Sequence, residues 1–275
     1  MEERYITVRG ITTRYVAMGA GSPVLLAHGF GEFLEIWSFN LEPLSQHCLV
    51  YALDFPGHGL SGKPRVDYTA AFTTEFIIDF MQTLGIEHAS LAGHSAGGLA
   101  RLNAAINFPD KVDKLVLVDS GGLGDEVSIH YRLATLPVLG EILIKPTVKA
   151  GIKRGLKRAF YNPDIVKEEW IDLNCQYLKM PGAKEVMLSI IRNGANLSGP
   201  RPGLVMTSKL HLVKSPTLII HGFDDPVVPV GNARNASNLI PNSKLEVFAD
   251  CGHCPHLEKA AEFNEAVISF LEQRD

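Results

Sequence analysis

Six short apolar runs recur along this chain, and most of them are apolar throughout instead of alternating with polar residues. They read VLLAHG, CLVYALD, ASLAGHS, KLVLVDS, TLIIHG and KLEVFAD. Strands of this composition are buried on both faces, which is typical of a parallel sheet covered by helices. Segments of helical periodicity lie between the runs; one of them, AAFTTEFIIDFMQTLG, carries an apolar stripe and ends at Gly85. The sequence therefore predicts an α/β fold with right-handed crossovers.

Two regions depart from this alternation. The first segments, RYITVRG and TTRYVAMG, predict a hairpin at the edge of the sheet. Between residues 122 and 209 the sequence becomes helical and is interrupted by prolines, before TLIIHG resumes the strand pattern. This stretch is too long for a loop, so it predicts a small helical subdomain, called the lid below. The expected division is a core of residues 1–121 and 210–275 with a lid of residues 122–209.

Composition narrows the choice of partners. The 275 residues carry a formal net charge of −4, with 46% hydrophobic and 20% charged residues. A nucleic-acid-binding protein needs a basic surface, so a small molecule is the expected partner. The N-terminal residues lack the apolar core of a leader peptide, and no apolar run approaches the roughly 18 residues of a membrane span. We expect a cytoplasmic monomer or homodimer with no membrane span, no cofactor and no metal.

The stretch GHSAG, residues 93–97, follows a predicted buried strand and leads directly into a helix. A strand-turn-helix context is the one in which G-x-S-x-G presents a nucleophilic serine. The turn is so tight that only small residues fit two positions before and after Ser95. It also places the hydroxyl at the start of a helix, where free N–H groups favour negative charge. Ser95 is therefore the candidate nucleophile.

A serine hydroxyl needs a histidine to accept its proton and a carboxylate to orient that histidine. Later strand ends supply both residue types, because the carboxyl ends of parallel strands meet at one edge of a sheet. The candidate acids are Asp224 and Asp225 in GFDDPVVP and Asp250 in KLEVFAD. The candidate bases are His253 and His256 in CGHCPH. The chain order is serine, aspartate, histidine.

Five motifs in this order resemble the α/β-hydrolase fold family over essentially the whole chain. They are HGFG, DFPGHGLSGKP, GHSAGG, GFDDPVVP and CGHCPHLEKAAEFNEAVISFL. The resemblance implies that Ser95 is the nucleophile, Asp225 the acid and His253 the base. Asp119, at the end of KLVLVDS, is a rival acid, because some members of the fold place the acid after that strand, although such an aspartate can equally cap the following turn. It also implies an oxyanion hole, formed by the backbone N–H groups of Phe30 and Ala96. The DFPGHGLSGKP loop is interpreted as a backbone turn, permitted by its glycines, with no role in the chemistry.

The expected activity is that of a serine carboxylesterase that cleaves small to medium esters. Dehalogenases and epoxide hydrolases of this fold attack with an aspartate at the position of Ser95, so their chemistry is disfavoured. The alternative is a carbon–carbon bond hydrolase acting on ring-cleavage dienones. Such enzymes usually carry a Gly-Pro-Gly oxyanion loop and a tryptophan after the histidine, where this chain has HGFG and Cys254. A non-catalytic ligand receptor of the same fold is the third hypothesis.

Residues that flank the catalytic positions, or that lie on apolar stretches of the lid, are candidates for substrate binding: Phe30, Leu99, Leu136, Leu139 and Val227. The tetrapeptide CGHC, residues 251–254, could indicate a redox centre or half of a metal site. It lies in the loop that delivers His253, however, and a metal on that histidine would remove the general base. The two thiols are interpreted as incidental, and the remaining question is whether Cys254 makes the protein sensitive to thiol reagents.

Overall fold

The computed structural model describes residues 2–126, 129–144 and 149–273. The strands within these ranges are β1 (Arg4–Val8), β2 (Ile11–Met18), β3 (Pro23–Ala27), β4 (Leu49–Leu53), β5 (Ala89–His94), β6 (Val112–Val118), β7 (Ala195–Asn196), β8 (Gly199–Pro200), β9 (Thr217–Gly222) and β10 (Ser243–Phe248). The helices are α1 (Leu41–Ser45), α2 (Ala70–Thr83), α3 (Ala96–Asn107), α4 (Ile129–Ala134), α5 (Leu139–Leu143), α6 (Lys149–Ala159), α7 (Glu168–Leu178), α8 (Ala183–Gly194), α9 (Val230–Leu239), α10 (Pro255–Glu258) and α11 (Ala260–Glu272). Short 3₁₀-helices span Leu34–Trp37, Pro109–Lys111, Pro163–Ile165 and Thr207–Leu212.

Eight of the strands form one sheet in the order β1-β2-β4-β3-β5-β6-β9-β10. The pairs from β4 to β10 are parallel, whereas β2 pairs antiparallel with both β1 and β4. The predicted α/β architecture is therefore confirmed, with β1 and β2 forming a hairpin at one edge. The short pair of β7 and β8 makes a separate ribbon.

The central strands bury alternate side chains in two layers of core. Leu25 and Leu91 pack in the layer that contains Phe76 of α2, whereas Leu26 packs in the layer that contains Phe263 of α11. Successive strand residues point to opposite faces, and helices cover both faces, so nearly every strand position is buried. This burial explains why the strands read as continuous apolar runs.

The segment between β6 and β9 holds α4 to α8 and the β7–β8 ribbon. Helices thus occupy the place where the sequence predicts a lid, although residues 127–128 and 145–148 of that segment lie outside the described residues. The division into a core and a lid stays a prediction. Among the described helices, none is long and apolar enough to cross a membrane.

The DFPGHGLSGKP loop is organised around the buried carboxylate of Asp54. That carboxylate accepts the N–H groups of Leu34 and Leu60 at 2.8 and 2.9 Å, and Arg14 Nη1 donates to it at 3.2 Å. Gly59 has a φ of 46°, and a Cβ there would lie 2.1 Å from the carboxylate oxygen Oδ2. Glycine is required at that position by both conformation and space. The contacts of Asp54 in this loop are structural.

Candidate active site

Ser95 occupies a sharp turn between the end of β5 and the start of α3. Its φ of 51° and ψ of −117° are strained for a residue with a side chain. The turn is possible because the residues two positions before and two positions after Ser95 are glycines, since the surrounding backbone leaves no space for a side chain at either position. A Cβ on Gly93 would lie 2.5 Å from the carbonyl carbon of Gly97, and a Cβ on Gly97 would lie 2.4 Å from the carbonyl oxygen of His28. The local geometry is that of a nucleophile elbow.

Asp225 lies in the turn that follows β9, and its side chain is fully buried. Its Oδ1 accepts the backbone N–H groups of Val227 and Val228 at 2.7 and 3.1 Å, while Oδ2 lies 2.7 Å from His253 Nδ1. Burial opposes ionisation of this carboxyl, but hydrogen bonds from His221 and His253 hold the pKa of Asp225 well below its usual range. Asp225 is therefore an anion that orients His253.

The loop after β10 carries His253, which is buried. Both of its backbone groups are bonded: the N–H donates to the carbonyl oxygen of Ala159 at 2.7 Å, and the carbonyl oxygen lies 2.7 Å from His94 Nε2. The rings of His94 and His253 are 4.7 Å apart. Because His94 immediately precedes Ser95, the histidine loop packs directly against the elbow. Burial lowers the pKa of His253 below its ordinary value, although the bond to Asp225 opposes that effect.

The rival candidates have other contacts. Asp119 follows β6, and its Oδ1 accepts the N–H of Gly222 at 3.1 Å. Burial and the neighbouring Asp225 carboxylate raise the pKa of Asp119 well above its usual range. Asp224 and Asp250 are exposed. His256 is buried with its ring 4.6 Å from that of Trp37. Within the described residues, the carboxylate bonded to His253 is that of Asp225.

The loop after β3 holds Phe30 beside the elbow. His28 Nδ1 lies 2.8 Å from the carbonyl oxygen of Gly29, and the N–H of Phe55 donates to His28 Nε2 at 3.0 Å. Since Nε2 is an acceptor, the proton of the neutral ring is on Nδ1, which donates to Gly29. This bond holds the Gly29–Phe30 peptide plane and thereby the direction of the Phe30 N–H. Ala96 is the first residue of α3, so its N–H is free of helical bonds.

A cavity of about 140 Å³ opens beside this loop. Phe30, Ala96 and Leu99 line it, together with Phe55 and His58 of the DFPGHGLSGKP motif. Further lining residues that no sequence motif marks are Tyr68, Thr73, Tyr131, Ile190, Asn193 and Leu204. Tyr131, Ile190 and Asn193 come from α4 and α8 of the inserted segment. The sequence offered no signal for them beyond their place in that segment, because helical residues there have no fixed spacing from the catalytic motifs.

Three of the residues predicted to bind substrate are not among those that line the cavity. Val227, in the turn that holds Asp225, is 52% exposed. Leu136 and Leu139 are half-buried around the α4–α5 connection, where the N–H of Gly140 donates to the carbonyl oxygen of Leu136. The structure brings Phe30 and Leu99 to the cavity and leaves Leu136, Leu139 and Val227 away from it.

The four cysteines are free thiols and all are buried. Burial raises the pKa of Cys254 well above its ordinary value, which disfavours the reactive thiolate. Two groups of described residues bring possible metal-ligand atoms within 4.8 Å of one another: Glu32, His94 and Cys254 form one, and Asp119, His221 and Asp225 form the other. Glu32 is hydrogen-bonded to His94, and Asp225 to His253, so binding of a metal would have to displace these bonds.

This chain is similar to known proteins both in amino-acid sequence and in fold. The profile described as "Alpha/beta hydrolase family" matches residues 24–266. A dihydrolipoyllysine-residue acetyltransferase component of the acetoin cleaving system from Cupriavidus necator is 32% identical, over 98% of this chain and 68% of that protein. A 2-hydroxy-6-oxo-6-(2'-aminophenyl)hexa-2,4-dienoic acid hydrolase from Metapseudomonas resinovorans is 30% identical, over 99% and 91%. A crystal structure of a serine hydrolase involved in carbazole degradation superposes with a TM-score of 0.85, at 27% identity and 99% coverage of both chains.

Proposed function

The chain belongs to the alpha/beta hydrolase family, and we propose that it is a serine hydrolase of carbon–carbon bonds in ring-cleavage products of the 2-hydroxy-6-oxo-dienoate class. The observation that carries the proposal is the 2.7 Å bond between Asp225 and His253, in a loop packed against the strained Ser95 turn. The substrate class is supported by the relative that covers 99% of the chain and is named as a dienoic acid hydrolase.

In the proposed reaction His253 accepts the proton of Ser95 as the serine oxygen attacks the ketone carbonyl carbon. The N–H groups of Phe30 and Ala96 stabilise the oxyanion, an effect worth roughly 3–4 kcal/mol for each donor. For the next step the dienol part of the substrate must be in its keto form, with a proton on the carbon next to the ketone. The bond between that carbon and the former carbonyl carbon then breaks, the electron pair passes into a conjugated dienolate, and the dienolate oxygen takes the proton from His253. Water, deprotonated by His253, releases the acyl group from Ser95 as a carboxylic acid. Asp225 holds the tautomer of His253 throughout.

A carboxylesterase is the second candidate, favoured by two features of the site. Cys254 follows His253, where dienone hydrolases usually have tryptophan. Among the described residues that line the cavity there is also neither Lys nor Arg, so the carboxylate of a dienoate finds no cationic partner there. An ester with an uncharged acyl group fits such a lining. Attack, oxyanion stabilisation and deacylation are the same, and the leaving group is an alcohol.

One substrate panel tests both candidates. Purified protein is assayed with a ring-cleavage dienone, followed by its absorbance, and with p-nitrophenyl esters of increasing chain length. We expect Ser95→Ala to lower kcat/KM by about 10⁴-fold or more on the true substrate, because the nucleophile is lost. Ser237→Ala, on α9 away from the elbow, is the matched control and should retain activity.

The outcomes separate the candidates. Faster turnover of the dienone supports carbon–carbon cleavage, and faster turnover of esters supports the carboxylesterase. Equal activity of the Ser95→Ala and Ser237→Ala proteins contradicts both. Tight binding of a panel compound without turnover by the unaltered protein indicates a receptor instead.

A further inference from the structure

We propose that the partly buried Glu32 and the fully buried His94 form an ion pair, in which a doubly protonated His94 fixes the position of the loop with Phe30 relative to the loop with His253. Neither residue belongs to the proposed triad. Glu32 follows the HGFG motif, and His94 is the residue before Ser95, so both are positioning residues. The effect of the pair on catalysis rests on the proposed function, whereas its protonation state does not.

Both ring nitrogens of His94 face hydrogen-bond acceptors. Nδ1 lies 2.9 Å from Glu32 Oε2, and Nε2 lies 2.7 Å from the carbonyl oxygen of His253. A carbonyl oxygen cannot donate, so Nε2 must carry a proton. A neutral imidazole has one N–H only, which would leave a bare Nδ1 facing the carboxylate. The arrangement is satisfied when His94 is an imidazolium and Glu32 a carboxylate.

Glu32 connects the same pair to the loop that carries Phe30. Its Oε2 accepts the N–H of Gly29 at 2.5 Å as well as the His94 proton, and its own N–H donates to the carbonyl oxygen of Gly29 at 3.3 Å. Gly29 has no space for a side chain, since a Cβ there would lie 2.8 Å from Glu32 Oε2. The peptide before Gly29 is thus held by Glu32, and the peptide after it by His28.

The surroundings of His94 favour the charged pair. Its side chain is fully buried, with the rings of His253 and His256 each 4.7 Å away, the Cys254 thiol nearby and the Asp225 carboxylate beyond His253. Burial by itself lowers the pKa of His94, but the Glu32 carboxylate more than offsets this and raises it above the ordinary value. His94 in turn lowers the pKa of Glu32 to about 2, against the effect of burial. The cation on the fully buried His94 requires such a partner.

The pair joins three segments that are distant in sequence. Glu32 lies in the oxyanion loop, His94 ends β5 at the elbow, and the His253 carbonyl belongs to the loop after β10. Loss of the second proton of His94 removes one of the two bonds. Either the His253 loop or the Gly29–Phe30 loop is then released, and both carry groups whose position decides the reaction rate.

The protonation state can be measured without any substrate. In protein labelled with ¹⁵N at histidine, an imidazolium gives two similar ring-nitrogen shifts and a neutral ring gives two very different ones. We expect the His94 signals, assigned by their absence from His94→Gln, to remain those of an imidazolium above pH 7. A neutral His94 at pH 7 in the unaltered protein would overturn the proposal, whatever the activity of the enzyme.

Glu32→Gln tests the positioning role, because glutamine keeps the shape and the acceptor oxygen but removes the charge. We expect the imidazolium signature to disappear and kcat to fall about 10-fold to 100-fold with little change in KM. Because His94 is already neutral in Glu32→Gln, the fall in activity that its deprotonation causes at alkaline pH in the unaltered protein should be absent from this variant. Asp113→Asn is the matched control, because it also removes the charge of a carboxylate that is paired with a histidine. The Asp113 carboxylate lies 2.7 Å from His88 Nδ1, and His88 is exposed at the end of β5 opposite to His94.

The two substitutions give distinct outcomes. If kcat and the pH profile are unaltered in both Glu32→Gln and Asp113→Asn, the positioning role of Glu32 and His94 is overturned. An equal loss in both would do the same, because it would show a general response to removing a carboxylate. Absence of turnover on every panel compound by the unaltered protein contradicts the proposed function alone, and the ¹⁵N measurement still decides the ion pair.

Discussion

The backbone N–H of His253 donates to the carbonyl oxygen of Ala159 at 2.7 Å. Ala159 is the last residue of α6, so the loop with the proposed base is bonded directly to the inserted helices. Glu258 reinforces this connection, since its carboxylate accepts the N–H of Gly252 at 2.9 Å and that of Tyr161 at 2.8 Å. The position of the base therefore depends on where the inserted segment sits.

Removing this connection should affect both stability and rate. In Glu258→Ala the N–H groups of Gly252 and Tyr161 lose their acceptor, at a cost of about 1–3 kcal/mol for each group that stays out of contact with water. We expect a lower free energy of unfolding in urea and a lower kcat. Glu265→Ala, at an exposed position on α11, is the control. Equal stability of the two variants would show that the connection contributes nothing.

Asp225 and Asp119 should differ strongly when each is changed to asparagine. In Asp225→Asn an amide group that can donate a hydrogen bond faces His253 Nδ1. It favours the tautomer with the ring proton on Nε2, which cannot accept the serine proton, so kcat should fall by about 10⁴-fold. Asp119→Asn changes a carboxyl that accepts the N–H of Gly222 and is not hydrogen-bonded to His253, so kcat should change by less than about tenfold. A loss in Asp119→Asn as large as that in Asp225→Asn would make Asp119 part of the acid function. Steady-state kinetics on the best substrate of the panel decides between these results.

The pH dependence of kcat/KM should reflect the lowered pKa of His253. The base works when its ring is neutral, and burial moves its protonation to lower pH. Activity should therefore persist below the reference value of about 6.5 before it falls. In Asp225→Asn the fall should occur at still lower pH, because the anion that favours the imidazolium is gone. An acid limb above about 6.5 in the unaltered protein would contradict the burial argument.

The elbow should not tolerate a single methyl group on either flanking glycine. In Gly93→Ala the new Cβ would meet the Gly97 backbone at 2.5 Å, and backbone cannot move aside as a side chain can. We expect a loss of about 1–3 kcal/mol in the free energy of unfolding and loss of activity. Gly231→Ala on α9 has nothing within 4 Å of the added carbon. It should be stabilising by up to about 1 kcal/mol. Similar urea midpoints for the two variants would refute this steric account.

Local sequence patterns predicted much of the fold and of the candidate site. The apolar runs predicted the parallel sheet because burial on both faces requires apolar residues at every position. GHSAG predicted the Ser95 turn because the steric requirement is contained in five consecutive residues. Leu136 and Leu139 were predicted from the apolar character of the lid, and Val227 from its proximity in sequence to Asp225; none of the three is among the residues that line the cavity. Sequence neighbours of a catalytic residue share its loop, but the direction of each side chain depends on the packing around it.

The sequence by itself determined the α/β architecture, the strained serine and the chain order of Ser95, Asp225 and His253. Only the tertiary structure decided which groups each of them contacts. His94 meets the His253 carbonyl across 159 residues of chain and Glu32 across 62. Such contacts follow from how strands and loops assemble and have no fixed spacing in sequence, because the burial that makes them strong exists only after the chain has folded.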